Sequence, residues 1–366
     1  MPRTVLVAPD KFKGTLTAAQ AAEAIGRGWR SANPDDPIEL LPITDGGDGF
    51  GDIVSDLLKA APQSTKTVDA AHRPCTASWW WHQASQTAII ESARIIGLAQ
   101  LPPKKYHPFE LDTCGLGDVL LAAAQKGARE CLIGIGGSAT NDGGFGMAGA
   151  LGWQFFNDRD TKILRWTELH SLSQIRPPDK QRLFDRVTVA VDVQNPLLGP
   201  QGCTRIYGPQ KGLKPNDFEF AERCLEHLSV ILSKELHLNC AEEPGAGAAG
   251  GLGYGLRCFL GAKLEPGFNL FARYANLQQR LRSIDLVITG EGSIDNSSLM
   301  GKGVGELAAL CKRLGIPCIG IGGVVTAIDA FQKAYALAPD FVSQDEAFAN
   351  PAIHLEALAA KAAHEL

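Results

Sequence analysis

Short apolar runs punctuate the chain at 4–8, 39–43, 88–90, 131–135, 187–191, 285–289 and 317–321. Each is rich in Val, Ile or Leu and lacks the polar alternation of a half-exposed strand. Continuous runs of this kind suit strands buried on both faces, as in a parallel sheet. Several lead into stretches of helical periodicity, at 16–31, 145–151 and 303–314, with Thr15 or Thr17 as the cap of the first. Strand and helix in alternation predict an α/β protein. The tail, 351–366, reads as an alanine-rich surface helix, and 72–75 and 200–214 read as loops. Segments 157–162 and 175–180 are polar and read as excursions. Trp79, Trp80 and Trp81 read as strand or domain-interface core, with stacking on an adenine as the alternative.

The residues at the end of each run carry the chemistry. Asp10, Asp45, Glu91, Gly136, Asp192, Glu291 and Gly322 come directly after or at the ends of the predicted strands. Ligands of open α/β sheets sit beyond the carboxyl ends of the strands. One such acid could be a turn residue or a helix cap, but several in one chain favour a site.

With 366 residues the chain is too long for one compact core, so two domains are expected. The net charge is −5, and no basic stripe with interleaved aromatics occurs, so nucleic acid is not an expected partner. No run of eighteen apolar residues exists, so no membrane span is expected. The opening MPRTVLVAPD turns polar too soon for a signal peptide, and a cytoplasmic location is expected. Nine cysteines, widely spaced and without C-x-x-C, predict buried reduced thiols rather than a disulfide framework or a thiolate zinc site. The eight histidines form no close ligand pair. Forty glycines, against a usual share of about 7%, are grouped beside the strands. Glycine lets backbone amides approach a ligand closely, so such groups point to phosphate or nucleotide binding, with tight helix–sheet packing as the alternative.

The densest group is Gly134-Ile135-Gly136-Gly137-Ser138-Ala139-Thr140-Asn141-Asp142-Gly143-Gly144, between a predicted strand and a predicted helix. It can turn several N–H groups toward an anion, with the Ser138 and Thr140 hydroxyls beside them. Asn141 and Asp142 could orient phosphate or a magnesium-bound water. It also satisfies G-x-G-x-x-A, but the acid that a dinucleotide site needs after the next strand is not found. Residues 245–250 satisfy G-x-G-x-x-G without a preceding strand and read as a flexible turn or close-packing element. Asp45-Gly46-Gly47-Asp48-Gly49 offers two carboxylates for a hard cation or a base. Residues 9–14 set Asp10 beside Lys11 and Lys13, and residues 290–295 bring Glu291, Ser293 and Asp295. No G-x-x-x-x-G-K-S/T, protein-kinase signature or G-x-S-x-G elbow is present. Glycine loops with separated acids and lysines fit phosphoryl transfer, which requires positioning and charge neutralisation more than a covalent nucleophile.

At these residues the chain closely resembles the type I glycerate kinase family. The resemblance runs through residues 8–16, 45–49, 134–144, Asn195-Pro196, 208–212, 244–253 and 289–295 with Gly301-Lys302, in the family's order. It implies Mg²⁺- and ATP-dependent phosphorylation of D-glycerate, usually at the 2-hydroxyl. It also implies two α/β domains with a cleft between them, one Rossmann-like with a parallel sheet and one inserted. The expected division is 1–72 plus 280–366 for the first and 73–279 for the second. The chain departs from the family at Lys11, often Ser there, and at Ser293 and Ser297, often Arg and Gln. Asp112-Thr113-Cys114-Gly115-Leu116-Gly117-Asp118 stands where T-x-Y-G-T-G-E is common. These departures bear on substrate choice more than on reaction type.

Each candidate residue has an expected role. Gly136, Gly137, Ser138, Thr140 and Asn141 cradle phosphate, with Lys211 and Lys302 as cations. Asp192, at the end of a strand beside a proline-bearing turn, is the first choice for the base, with Asp10 and Lys13 completing the catalytic group. Asp45, Asp48 and Asp295 are expected at the metal, and Lys11, Ser293 and Glu291 at the substrate. A homodimer is left open. The rival readings are a kinase for another hydroxy acid, a dehydrogenase, and a nucleotide-binding regulator without turnover.

Overall fold

The computed structural model describes residues 2–179, 182–296, 298 and 303–366. The chain divides into two compact units, Met1–Asp45 with Phe268–Leu366, and Gly46–Gly267.

The first unit holds a five-stranded sheet, wholly parallel. Its order is Lys333–Ala336, Cys318–Val325, Leu286–Ile294, Val5–Val7, Ile38–Leu40. Val5, Leu6 and Val7 are fully buried, which is why the first strand shows no alternation. Helix Ala18–Ala32 begins at Thr17, whose hydroxyl accepts from Gln20 N–H while the Gln20 side chain accepts from Thr17 N–H. This helix packs on Pro351–His364 so closely that a Cβ at Gly28 would overlap the Glu356 carbonyl. The tail helix is therefore not simply a surface element. Leu355, Leu358, Ala359, Ala362 and Ala363 recur at helical spacing and are buried, the large ones each contributing about 1.5–3 kcal/mol.

The second unit carries a six-stranded sheet in the order Lys263–Pro266, Arg186–Val191, Glu130–Gly134, Thr87–Glu91, Pro74–His82, Ala61–Val68. The first four strands are parallel, and the last two join antiparallel at the edge. The hairpin pairs Val68 with Pro74, so residues 46–72 stay with this unit, whereas the expected break lies after 72; residues 268–279 go with the other unit. Trp79 and Trp80 are buried on the middle strand of this antiparallel edge.

Two expected loops are partly regular. Residues 72–75 run into the strand that begins at Pro74, and 200–214 contain helix Cys203–Lys211. Pro209 lies inside that helix, and such a residue ordinarily signals a break. The expected excursions, 157–162 and 175–180, each begin within the end of a strand: Gln154–Asn157 and Leu172–Arg176 pair antiparallel. All nine cysteines are unbridged, and seven are buried. Among the described residues no helix is long and apolar enough to cross a membrane.

Candidate active site

In the first unit the acids collect where three neighbouring parallel strands end. Beyond Val5–Val7 the ladder continues, with Ala8 N–H donating to Ile288 O at 2.7 Å and Asp10 N–H to Gly290 O at 2.8 Å. Ile43 N–H donates to Pro9 O, so Asp10 and Asp45 lie beyond the ends of adjacent strands, with Glu291 in the later half of the neighbouring strand Leu286–Ile294. Asp10 is only 6% exposed, and its Oδ1 accepts from Lys11 N–H at 2.7 Å. Burial raises its carboxyl pKa to about 7, the charges of Asp45 and Glu291 add to this, and Lys11 opposes it. Lys11 Nζ lies 3.8 Å from Asp45 Oδ1. Gly292 lets strand Leu286–Ile294 approach the 12–13 turn: a Cβ there would lie 3.2 Å from Lys13 N. Lys13 and Ser293 are both exposed beside this approach. Asp295 has a visible structural task, since its Oδ1 accepts from Ser298 N–H at 3.2 Å and its own N–H donates to Ser298 Oγ. Lys302 lies outside the described residues, as does Ser297.

Magnesium is implied by the resemblance, and the donor set of this cluster fits it. Three carboxylates offer hard oxygens. The mutual repulsion that raises the Asp10 pKa is what a bound divalent cation would relieve.

In the second unit, strand Glu130–Gly134 opens into the glycine loop before helix Phe145–Ala150. Gly137 takes φ +76°, and a Cβ at Gly136 would come within 2.6 Å of Gly47 Cα. Asp48 is exposed, and its carboxylate fills the space a Cβ of Gly137 would need. Thr140 and Asn141 are fully buried. Asn141 Nδ2 donates to Thr204 Oγ1 at 3.1 Å, whereas Thr140 Oγ1 and Asn141 Oδ1 are buried with no hydrogen-bond partner. Buried oxygens without a partner are uncommon in folded proteins, and two on adjacent residues of this loop leave polar atoms open to a water, an ion or a ligand. Lys211, 6% exposed, donates from Nζ to Thr140 O at 2.7 Å and to Ser138 Oγ at 3.2 Å, and burial lowers its pKa to about 8.

Asp192 is exposed just beyond strand Arg186–Val191, which pairs with Glu130–Gly134 so that Ala190 lies opposite Gly134. Asp192 and the glycine loop thus leave the same edge of one sheet. Nearby, Tyr207 donates to Asn195 Oδ1, and its phenol is pushed up to about 12 by burial and then by the Asp192 charge. The 245–253 segment is a close-packing element: Gly250 has φ +71°, and its Cβ would overlap the Thr140 carbonyl.

Two residues named in the sequence analysis, Asp142 and Glu91, have anchoring roles that the sequence did not show. Asp142 Oδ2 accepts from Thr113 N–H, Thr113 Oγ1 and Gly146 N–H, and Oδ1 from Gly144 N–H, so this carboxylate ties the loop down. Glu91, 4% exposed, accepts from Gly49 N–H at 3.0 Å and Gly51 N–H at 2.9 Å and fixes the turn carrying Asp48. The signal for Glu91 was present, as an acid at a strand end; Thr113 carried none.

Parallel sheets without a P-loop, one unit bearing a strand-end acid cluster and the other a glycine loop over a buried lysine, fit the class of α/β phosphotransferases. The comparisons agree. A model described as the glycerate kinase family matches residues 5–366. The glycerate kinase of Halalkalibacterium halodurans is 37% identical over 94% of this chain and 93% of its own. The glycerate 2-kinase of Escherichia coli is 38% identical over 88% of this chain and 85% of its own. A crystal structure of a candidate glycerate kinase 2 from Salmonella typhimurium superposes with a TM-score of 0.84 at 31% identity, covering 100% of this chain and 98% of that one. The chain belongs to the glycerate kinase family, and its reaction is phosphoryl transfer to an alcohol group.

Proposed function

We propose that the protein transfers the γ-phosphoryl group of ATP to the 2-hydroxyl of D-glycerate. Family membership supports the substrate class, and the observation that carries the reading is the buried Lys211 beneath a loop holding two orphaned oxygens. In this reading Gly136, Gly137, Ser138, Thr140 and Asn141 receive the nucleotide phosphates, and Lys211 offsets their charge. Lys11, Ser293 and Glu291 face the hydroxy acid. The substrate hydroxyl oxygen forms a bond to the γ-phosphorus, the bond from that phosphorus to the β,γ-bridging oxygen breaks, and ADP leaves.

The hydroxyl proton goes to a carboxylate. Asp10, with a pKa near 7, is poised to accept it, and Asp192 is its rival for this task. Asp45 is assigned to Mg²⁺, with Asp295 as a further donor; an ion held there would neutralise phosphate charge. The test is an ADP-coupled assay over a panel of small hydroxy acids, with the glycerate product resolved by ³¹P NMR. ATP-dependent formation of 2-phosphoglycerate is expected. A 3-phosphate product overturns the choice of hydroxyl, preference for another hydroxy acid overturns the substrate, and ATP binding without turnover overturns the kinase reading.

A further inference from the structure

His72, Asp112 and Cys114 converge on the second unit, apart from every residue assigned above. Their ligating atoms all lie within 4.8 Å of one another, with His72 Nε2 2.8 Å from Asp112 Oδ2. The three are brought together by two anchored segments. His72 sits at φ +56° in a turn whose Asp69 accepts from the N–H groups of Ala71 and Arg73 and from Arg73 Nε at 2.7 Å. Asp112 is held by its other oxygen, Oδ1, which accepts from Cys114 N–H at 2.9 Å. Cys114 is the first residue of helix Cys114–Gln125. The Asp112, Asp118 and Asp142 charges all act on its half-buried thiol and, after burial, push it up to about 11. An excess of negative charge around a thiol is an environment that a cation relieves.

We propose that His72, Asp112 and Cys114 form a binding site for a divalent cation of the zinc class. The donor set decides the class. One imidazole nitrogen, one carboxylate oxygen and one sulfur suit zinc, whereas magnesium and calcium take oxygen only. Bond lengths of about 2.0–2.3 Å place the ligand atoms of a tetrahedral site roughly 3.3–3.8 Å apart. The separations here, none above 4.8 Å, reach that range by shifts of no more than about 1.5 Å, and the His72 side chain, 51% exposed, has room to make them. Three protein ligands leave the fourth position to water. The thiol proton is released to solvent as the sulfur binds the metal. The site staples the 69–73 turn to the start of helix Cys114–Gln125. Thr113, between two of the ligands, is the residue that clamps Asp142 and hence the glycine loop.

The metal-free, fully reduced full-length protein is titrated with Co²⁺, following the near-ultraviolet sulfur-to-cobalt charge-transfer band, and then with Zn²⁺ as competitor. One equivalent of Co²⁺, a charge-transfer band and displacement by Zn²⁺ are expected. Cys114→Ser, checked for folding by circular dichroism, should lose the band. His72→Gln, at an exposed side chain, should weaken Zn²⁺ binding about tenfold or more. No band in the unaltered protein, a band that survives Cys114→Ser and so belongs to another thiol, or unchanged affinity in His72→Gln overturns the proposal.

Discussion

Lys211 Nζ donates to the main-chain carbonyl of Thr140 at 2.7 Å, in a position 6% exposed. A buried ammonium is costly unless bonded, and here part of its capacity goes to the loop that would hold phosphate. Lys211→Met should therefore lower kcat/KM for ATP by about 100-fold, the usual scale for removing one preorganised donor. The ammonium, with its pKa near 8, discharges as pH rises through that value. ATP affinity of the unaltered protein, measured calorimetrically, should weaken above pH 8, and Lys211→Met should show no such step.

Asp10 gives the opposite pH signature. Its folded pKa, near 7, stands above the ordinary carboxylate value of 3.8. A base must be ionised, so kcat/KM should fall as pH drops below 7. For stability the sign is reversed. The folded chain holds the Asp10 proton more tightly than the unfolded one, so the contribution is full below about pH 4 and is lost as pH rises through about 7. Asp10→Asn should remove that loss, seen as a flatter urea midpoint between pH 4 and 7, while abolishing turnover. Normal kcat in Asp10→Asn would hand the base to Asp192.

Most parallel strands were legible because burial on both faces leaves unbroken apolar runs, as at Val5–Val7 and Glu130–Gly134; Lys263–Pro266 and Lys333–Ala336, at the outside of their sheets and less buried, were not. Edge strand Ala61–Val68 was not, since it is largely exposed and its composition is that of a loop. The strand-end acids were legible one by one. That Asp10 neighbours Glu291 depends on Leu286–Ile294 pairing with Val5–Val7 across the whole chain, which no local pattern specifies. The bond between Thr113 and Asp142 was hidden for the same reason, as was the approach of His72 to Asp112, forty residues apart.

Gly250 takes φ +71° against the Thr140 carbonyl, with Asn141 Cα 2.8 Å from where a Cβ would stand. Gly143 N–H also donates to Gly250 O at 3.1 Å, so neither backbone can retreat freely. Gly250→Ala meets both a conformational and a steric penalty. Overpacking of this kind costs about 1–3 kcal/mol. A lower urea midpoint and a raised KM for ATP are expected together; loss of stability with unchanged KM would mean that the 245–253 segment does not shape the glycine loop.

Glu91 binds Gly49 N–H with one oxygen and Gly51 N–H with the other, and Arg94 Nε stands 3.4 Å from the second oxygen. Glu91→Gln keeps the size but replaces one acceptor by an NH₂ that faces a donor. The lost bond and the buried N–H left unpaired cost about 1–3 kcal/mol. Arg94 is the control. It stacks over the Trp80 ring at 4.8 Å and pairs with exposed Asp52, an arrangement open to solvent and worth about 1 kcal/mol or less. Arg94→Ala should therefore move the unfolding midpoint less than Glu91→Gln. The kinetic readout separates anchoring from bulk stability: a loosened Gly49–Gly51 turn displaces Asp48, so Glu91→Gln should also lower kcat at temperatures where it is fully folded. Equal destabilisation by the two substitutions, with kcat unchanged in both, would show that Glu91 serves the general packing of the unit and not the turn.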